Sequence, residues 1–137
     1  MADRNQPIID EFRANAGRVG GGFEGRTLLL LHHRGARTGK ERVNPLAYQR
    51  LSPDAVAIFA SKGGAPTNPD WFHNLVAHPD ASVEIGTDAF PVRARVAAGE
   101  EREQIWEQQK HDWPGFADYE KRTEGIREIP VVVLEKT

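Results

Sequence analysis

Apolar residues in this chain come in short runs cut apart by glycine, proline and charged turns, and the period within the runs changes along the sequence. Ile8, Phe12, Ala16 and Val19 recur at helical spacing behind Pro7, a residue suited to a first turn, so the spacing predicts an amphipathic helix over residues 8–16. Gly17 to Gly25 breaks it and reads as a flexible connection. The unbroken apolar run Thr27–His33 predicts a buried strand, "RGARTGK" turns the chain, and Glu41–Arg50 resumes as a strand in which Pro45 implies an edge or a bulge.

Beyond the turn at Ser52–Asp54, Ala55–Ser61 predicts a third strand. Asn68 and Pro69 read as the N-cap and first residue of a helix that runs to Pro79. Ala81–Ile85 and Ala89–Ala98 are two strands joined by "GTD". Residues 100–112 and 116–123 read as helices on either side of Trp113-Pro114-Gly115, and Ile129–Glu135 closes the chain as a β-branched strand. About six strands with helices inserted irregularly argue against a doubly wound parallel sheet. The expected class is mainly β with α+β character, a compact antiparallel barrel decorated by helices.

Length and composition narrow the function. With 137 residues a single domain over 1–137 is the simplest organisation, and such a chain buries roughly two thirds of the surface its unfolded form exposes. The sequence has no cysteine, which removes disulfides, zinc–thiolate sites, iron–sulfur clusters and cysteine nucleophiles. No segment has the apolar length of a signal-peptide core or a membrane span, so a cytoplasmic protein without stable membrane insertion is the expectation. The N-terminal helix is expected to dock on the barrel, with weak membrane or dimer contact as the alternative. A net charge of −2, scattered along the chain, offers no stripe for nucleic acid and points instead to a small anionic ligand. Monomer and homodimer both stay open.

Three segments carry candidate chemistry. The first is the basic turn, where Gly35 and Gly39 free the backbone to curl into a concave anion site and Arg37, Thr38, Lys40 and Arg42 supply charge-assisted donors. The competing reading is a solvated hairpin tip. The second is Ala60 to Leu75, where Ser61, Lys62 and two glycines can approach a phosphate or a flat ligand and Trp71 can lie against a ring. The alternative there is a plain turn followed by the buried face of a short helix. The third is "WPGFADYEKRT", with Phe116 and Tyr119 one turn apart; Tyr119 offers an apolar wall and a hydroxyl, or simply packs in the core. No metal site is expected. His32 and His33 are adjacent in a strand and point to opposite faces, His73 and His78 do not share a helical face, and His111 stands alone.

Taken together, "HHRGARTGKERVNPLAY", "ASKGGAPTNPDWFHNLVAHP" and "DYEKRTEGIREIPVVVLE" resemble the deazaflavin-dependent nitroreductase family, with looser similarity from about residue 8 onward. The resemblance implies a six-stranded split β-barrel related to flavin-mononucleotide oxidoreductases, and coenzyme F-420, an 8-hydroxy-5-deazaflavin, as cofactor. By position, Arg37, Thr38 and Arg42 would serve the phosphate and oligoglutamate tail, and Asn44, Pro45 and Leu46 would lie along the deazaflavin ring. Ser61, Lys62 and Gly63 would hold the phosphate and ribityl region, and Trp71, Phe72 and Asn74 would complete the cleft. Gly39, Lys40, Val43, Ala47, Ala60 and Asp70 fall in the same cofactor-binding set. Ala47 stands where some members carry an aromatic residue, and Phe116 stands at a position of tyrosine in nitroreductase-active members, which leaves Tyr119 as the catalytic hydroxyl.

The expected activity is hydride transfer from the reduced deazaflavin to a small organic acceptor, an enone, quinone or nitro compound, with a proton from Tyr119 or solvent. The alternatives are a split-barrel reductase that uses flavin mononucleotide (or a haem-binding relative) and a non-catalytic carrier of the deazaflavin or a lipid.

Overall fold

A computed structural model describes residues 6–15 and 28–137. The predicted connection at Gly17–Gly25, and with it Ala16, Val19 and Thr27, lies outside those residues. Six strands close into an antiparallel barrel: β1 (Leu28–Arg34), β2 (Glu41–Ser52), β3 (Ala55–Phe59), β4 (Asp80–Ile85), β5 (Asp88–Val96) and β6 (Val131–Lys136), in the order β1-β2-β3-β6-β5-β4. Among the described residues four helices decorate it: α1 (Gln6–Ala14), α2 (Asp70–Ala77), α3 (Gly99–Asp112) and α4 (Gly115–Thr123).

Alternation along the strands explains the layers. Leu29 and Leu31 of β1 face inward with Val56 and Ile58 of β3, Val132 and Leu134 of β6, Val92 of β5 and Val83 of β4, a single buried cluster closed at one end by Trp71 and Leu75 of α2. The outward residues of the same strands are apolar wherever a helix covers them. Ile9 and Phe12 of α1 pack on Leu28 and Leu30, with Val43 and Ala47 at the margin. Phe116 of α4 and Ile105 and Trp106 of α3 pack on Ala57, Phe59, Val131 and Val133. β1, β3 and β6 are therefore apolar on both faces, and this is why they read as continuous apolar runs. No described helix is long and apolar enough to cross a membrane.

Several expectations shift by a residue or two. α1 starts at Gln6 and ends at Ala14, and β3 ends at Phe59, so Ala60 and Ser61 belong to the loop that follows. Asn68 is not the cap of α2: that place falls to Pro69, with no side-chain cap bond, and Asn68 Oδ1 instead accepts from Arg127 Nη1 at 2.7 Å. The ladder to β3 begins only at Tyr48, opposite Ile58, so residues 41–47 of β2 pair with β1 alone. Pro45 accordingly sits on an edge, where its missing N–H costs no ladder bond.

Candidate functional site

The open edge of β2 organises the site. Beyond the Tyr48–Ile58 pair the same register would bring Ala60 to Leu46 and Ser61 to Pro45, but the chain leaves the sheet after Phe59 and coils into a 3₁₀ turn at Lys62–Gly64. The barrel is thus split between Asn44–Leu46 and this loop. The basic turn at residues 35–40 lies at the β1 end of the same strand, and α4 packs against the 3₁₀ turn.

Internal bonds shape the basic turn. Gly35 N–H donates to Lys40 O and Gly39 N–H to Gly35 O, each at 2.9 Å, and Gly39 adopts φ +68°. A methyl group at Gly35 would stand 2.7 Å from Thr38 Oγ1, so a larger residue there would push the Thr38 hydroxyl aside. The cations of this stretch, Arg34, Arg37, Lys40 and Arg42, do not all converge. Arg37 and Arg42, with Thr38, line a hollow of about 360 Å³ whose far wall is Asp70, His73 and Asn74 of α2. Arg34 instead faces a separate hollow beside Asp80, while Lys40 is exposed and lines neither. Arg42 also borders a second hollow of about 470 Å³, roofed by Gln6, Ile9 and Arg13 of α1. It stands on the ridge between the two.

The second loop offers a different kind of anion site. Ser61 is right-handed (φ −75°, ψ −38°) and Lys62 is left-handed (φ +48°), the only described non-glycine residue with positive φ. A right-then-left pair turns successive N–H groups toward one side, forming a concave nest that suits phosphate oxygens. Ser61 is buried, whereas the Lys62 side chain is exposed, with Nζ 3.3 Å from Thr67 Oγ1. Ser61 and Lys62 do not line the Arg37–Arg42 hollow; α2, which follows the 3₁₀ turn and starts at Asp70, is the element that connects the two regions.

Three expected contacts are otherwise employed. Trp71 is 5% exposed within the barrel core, so its ring is not free to stack on a ligand. Phe72 packs against the same core and lines an apolar groove with Val76 and Val96, away from the basic turn. Asn74 is buried, and both ends of its amide are engaged: Oδ1 accepts from Ala36 N–H at 2.9 Å, and Nδ2 meets His33 Nδ1 at 3.1 Å. It braces the basic turn from behind. Phe116 is likewise buried, edge-on to Phe59 and to Tyr119. Tyr119 is half-buried, and its Cα would lie 3.3 Å from a methyl group at Gly64, which sets it beside the 3₁₀ turn.

Two residues that brace these loops give little signal in the sequence. His33 is buried with Nε2 2.7 Å from Asn44 Oδ1; burial pushes its pKa below the ordinary 6.5, the Asn44 bond opposing. Arg127, just ahead of β6, reaches back into the loop after β3. A lone arginine among charged residues looks like solvated surface, and only its position before a buried strand hints otherwise. His32, on the opposite face from His33, lies 2.9 Å from Glu41 and 2.5 Å from Glu84, and Glu84 is also bound by Arg13 of α1.

A family model described as F420H(2)-dependent quinone reductase matches residues 6–136. An F420H(2)-dependent quinone reductase of Mycobacterium tuberculosis (strain ATCC 25618 / H37Rv) is 37% identical over 129 residues, covering 91% of this chain and 85% of its own. Among solved structures, an F420-H2 dependent reductase matches with TM-score 0.71 and 38% identity over 79% of this chain and 93% of that one. Another, described as a domain-swapped dimer, matches with TM-score 0.73 and 32% identity over 94% and 96%.

Proposed function

The chain belongs to the F420H(2)-dependent quinone reductase family, and from that membership we propose that the split edge of its barrel holds coenzyme F-420 for hydride transfer to a quinone. The protein is a deazaflavin-dependent oxidoreductase with a small-molecule acceptor. The residues suit that cofactor. Arg37 and Arg42 are exposed cations on one hollow, fit for a polyanionic tail. The Ser61–Lys62 nest fits a phosphate, and the unladdered Asn44–Leu46 edge offers a flat, partly apolar surface for a ring.

Bound in this cleft, the reduced coenzyme supplies a hydride. Everything else is the work of the chain. Pro45 presents no N–H to the ring side, and Leu46, packed against the barrel interior, keeps that wall apolar. Quinone reduction to a hydroquinone also needs a proton at oxygen, and we assign its delivery to the hydroxyl of Tyr119, a residue whose backbone lies beside the 3₁₀ turn. Ala47 takes less room than an aromatic residue and leaves space for a bulky acceptor. A mononucleotide would leave the Arg37–Arg42 turn without a tail to engage, which favours the deazaflavin. The relative described as a domain-swapped dimer makes a homodimer the assembly to test by sedimentation.

The observation that carries this reading is the open β2 edge flanked by two turns, one carrying Arg37 and Arg42 and one with the right-then-left pair Ser61–Lys62. Fluorescence titration with F-420 and with flavin mononucleotide, followed by anaerobic oxidation of the reduced deazaflavin by a short-chain naphthoquinone, tests it. Selective F-420 binding with quinone-dependent oxidation is expected. Preference for the mononucleotide, or binding without oxidation by any quinone, enone or nitroaromatic, would overturn it.

A further inference from the structure

The loop after β3 contains a strained residue, and one distant side chain gathers the backbone around it. Arg127 Nη1 donates to Ala60 O at 3.0 Å, Nη2 to Ser61 O at 3.0 Å and Nε to Ala65 O at 3.1 Å, while Nη1 also reaches Asn68 Oδ1 at 2.7 Å. Three backbone carbonyls on both sides of the Lys62–Gly64 turn therefore point at one half-buried guanidinium. Among the described residues no carboxylate pairs with it. Its charge is compensated by peptide and amide dipoles.

The peptide group is planar and trans, so a carbonyl aimed at Arg127 sends the N–H of the next residue the opposite way. Ala60 O and Ser61 O face the guanidinium; the N–H groups of Ser61 and Lys62 consequently face away from it, into the concavity of the right-then-left pair. The same fork holds Lys62 at φ +48°, a conformation that a residue with a side chain adopts only when its surroundings demand it. Ser61 O also accepts from Gly64 N–H at 2.9 Å, which closes the turn on itself.

We infer that Arg127 is the positioning residue of the phosphate subsite: it touches no ligand, and acts by fixing the Ser61–Lys62 nest and placing a positive charge behind its donors. This rests on the coenzyme reading above. A lysine at the same place keeps the charge but cannot present three donors in a fixed plane, so it is expected to restore the subsite only in part.

The test compares two probes on the full chain, F-420 and its analogue 8-hydroxy-5-deazariboflavin, which lacks both the phosphate and the tail beyond it. The wild type, Arg127→Lys and Arg127→Ala are titrated by fluorescence, with thermal midpoints and steady-state kinetics alongside. Arg127→Ala is expected to weaken F-420 about tenfold or more, Arg127→Lys to a smaller extent, and both to change the analogue by less than about twofold. The coenzyme KM should rise while kcat at saturation stays near the wild-type value. Equal losses for both probes, or an unchanged F-420 affinity in either folded variant, would overturn the inference, and Arg127→Lys decides the matter if the alanine variant fails to fold. A wild type that binds F-420 no better than the analogue would overturn the phosphate subsite itself, and a wild type that binds neither would overturn the coenzyme reading.

Discussion

Asn74 in α2 and His33 at the end of β1 meet through Nδ2 and Nδ1 at 3.1 Å inside the mouth of the barrel. The neighbours of this pair fix its protons. Ala36 N–H needs an acceptor, so Asn74 presents Oδ1 to it and Nδ2 to the imidazole; Asn44 Oδ1 can only accept, so His33 carries its proton on Nε2. The relay runs from the basic turn through the plug helix into β2, and it is fully satisfied only with His33 neutral. Protonating Nδ1 would set two donors against each other.

Stability should therefore fall on acidification in a window set by His33. Its pKa is lowered chiefly by burial, with Arg42 and His32 adding repulsion, while the Asn44 bond and Asp70 act the other way. Below about 6.5 the unfolded chain takes up a proton that the folded chain resists, so unfolding becomes easier as pH drops, by at most about 1.4 kcal/mol per pH unit for one proton. Urea midpoints of the wild type and His33→Gln between pH 5.5 and 7.5 read out the difference. The two should converge toward the acid end, and parallel profiles would rule out a role for this imidazole.

Removing the cations of the two loops separates their contributions. Arg42→Ala should weaken F-420 by ~1.5–3 kcal/mol if its guanidinium meets anionic oxygens, and Lys62→Ala by less, since its exposed ammonium is more heavily solvated. The Arg42 loss should shrink at high salt, where an exposed cation is screened. Binding isotherms at low and high ionic strength check both. If neither substitution matters, the tail lies elsewhere.

The barrel is legible in the sequence because its strands are apolar on one or both faces, and β1, β3 and β6 stand out as runs. The site is only half legible. Glycine spacing and clustered charge are local signals, and they pick out the turn where Arg37 and Arg42 share a hollow, the unpaired edge at Pro45 and the turn at Ser61. The burial of Trp71 and the bonds of Asn74 are not legible, since a tryptophan on a short helix looks the same whether it faces a ligand or plugs a barrel, and an asparagine does not disclose which groups it will bond. Arg127 is invisible. Its partners lie 59 to 67 residues away in the chain, and three of them are backbone carbonyls that no sequence pattern marks.

Two glycines with the same backbone demand but different surroundings test the turn. Gly64 has φ +84°, and a methyl group there would stand 2.9 Å from Arg122 Cδ and 3.3 Å from Tyr119 Cα; Gly99 has φ +60° with nothing within 4 Å. Gly99→Ala should cost about 1 kcal/mol of backbone strain. Gly64→Ala should cost more, because α4 must shift as well, and it alone should raise the coenzyme KM. Chemical denaturation together with steady-state kinetics distinguishes them; equal costs and an unchanged KM would mean the packing of α4 on this turn has no bearing on the site.

Tyr119 is where structure and chemistry make separable demands on one residue. Its ring sits edge-on to Phe116 at 5.2 Å, a contact that Tyr119→Phe keeps in full. The hydroxyl alone is removed, so the thermal midpoint and the F-420 affinity should hardly change. If Oη delivers the proton that accompanies hydride transfer, kcat with a quinone should fall roughly 100-fold, the scale of a positioned general acid, and the solvent isotope effect should rise as water takes over. If water supplies the proton in the wild type, kcat and the isotope effect will both match the variant, and Tyr119 will be a wall of the cleft and nothing more.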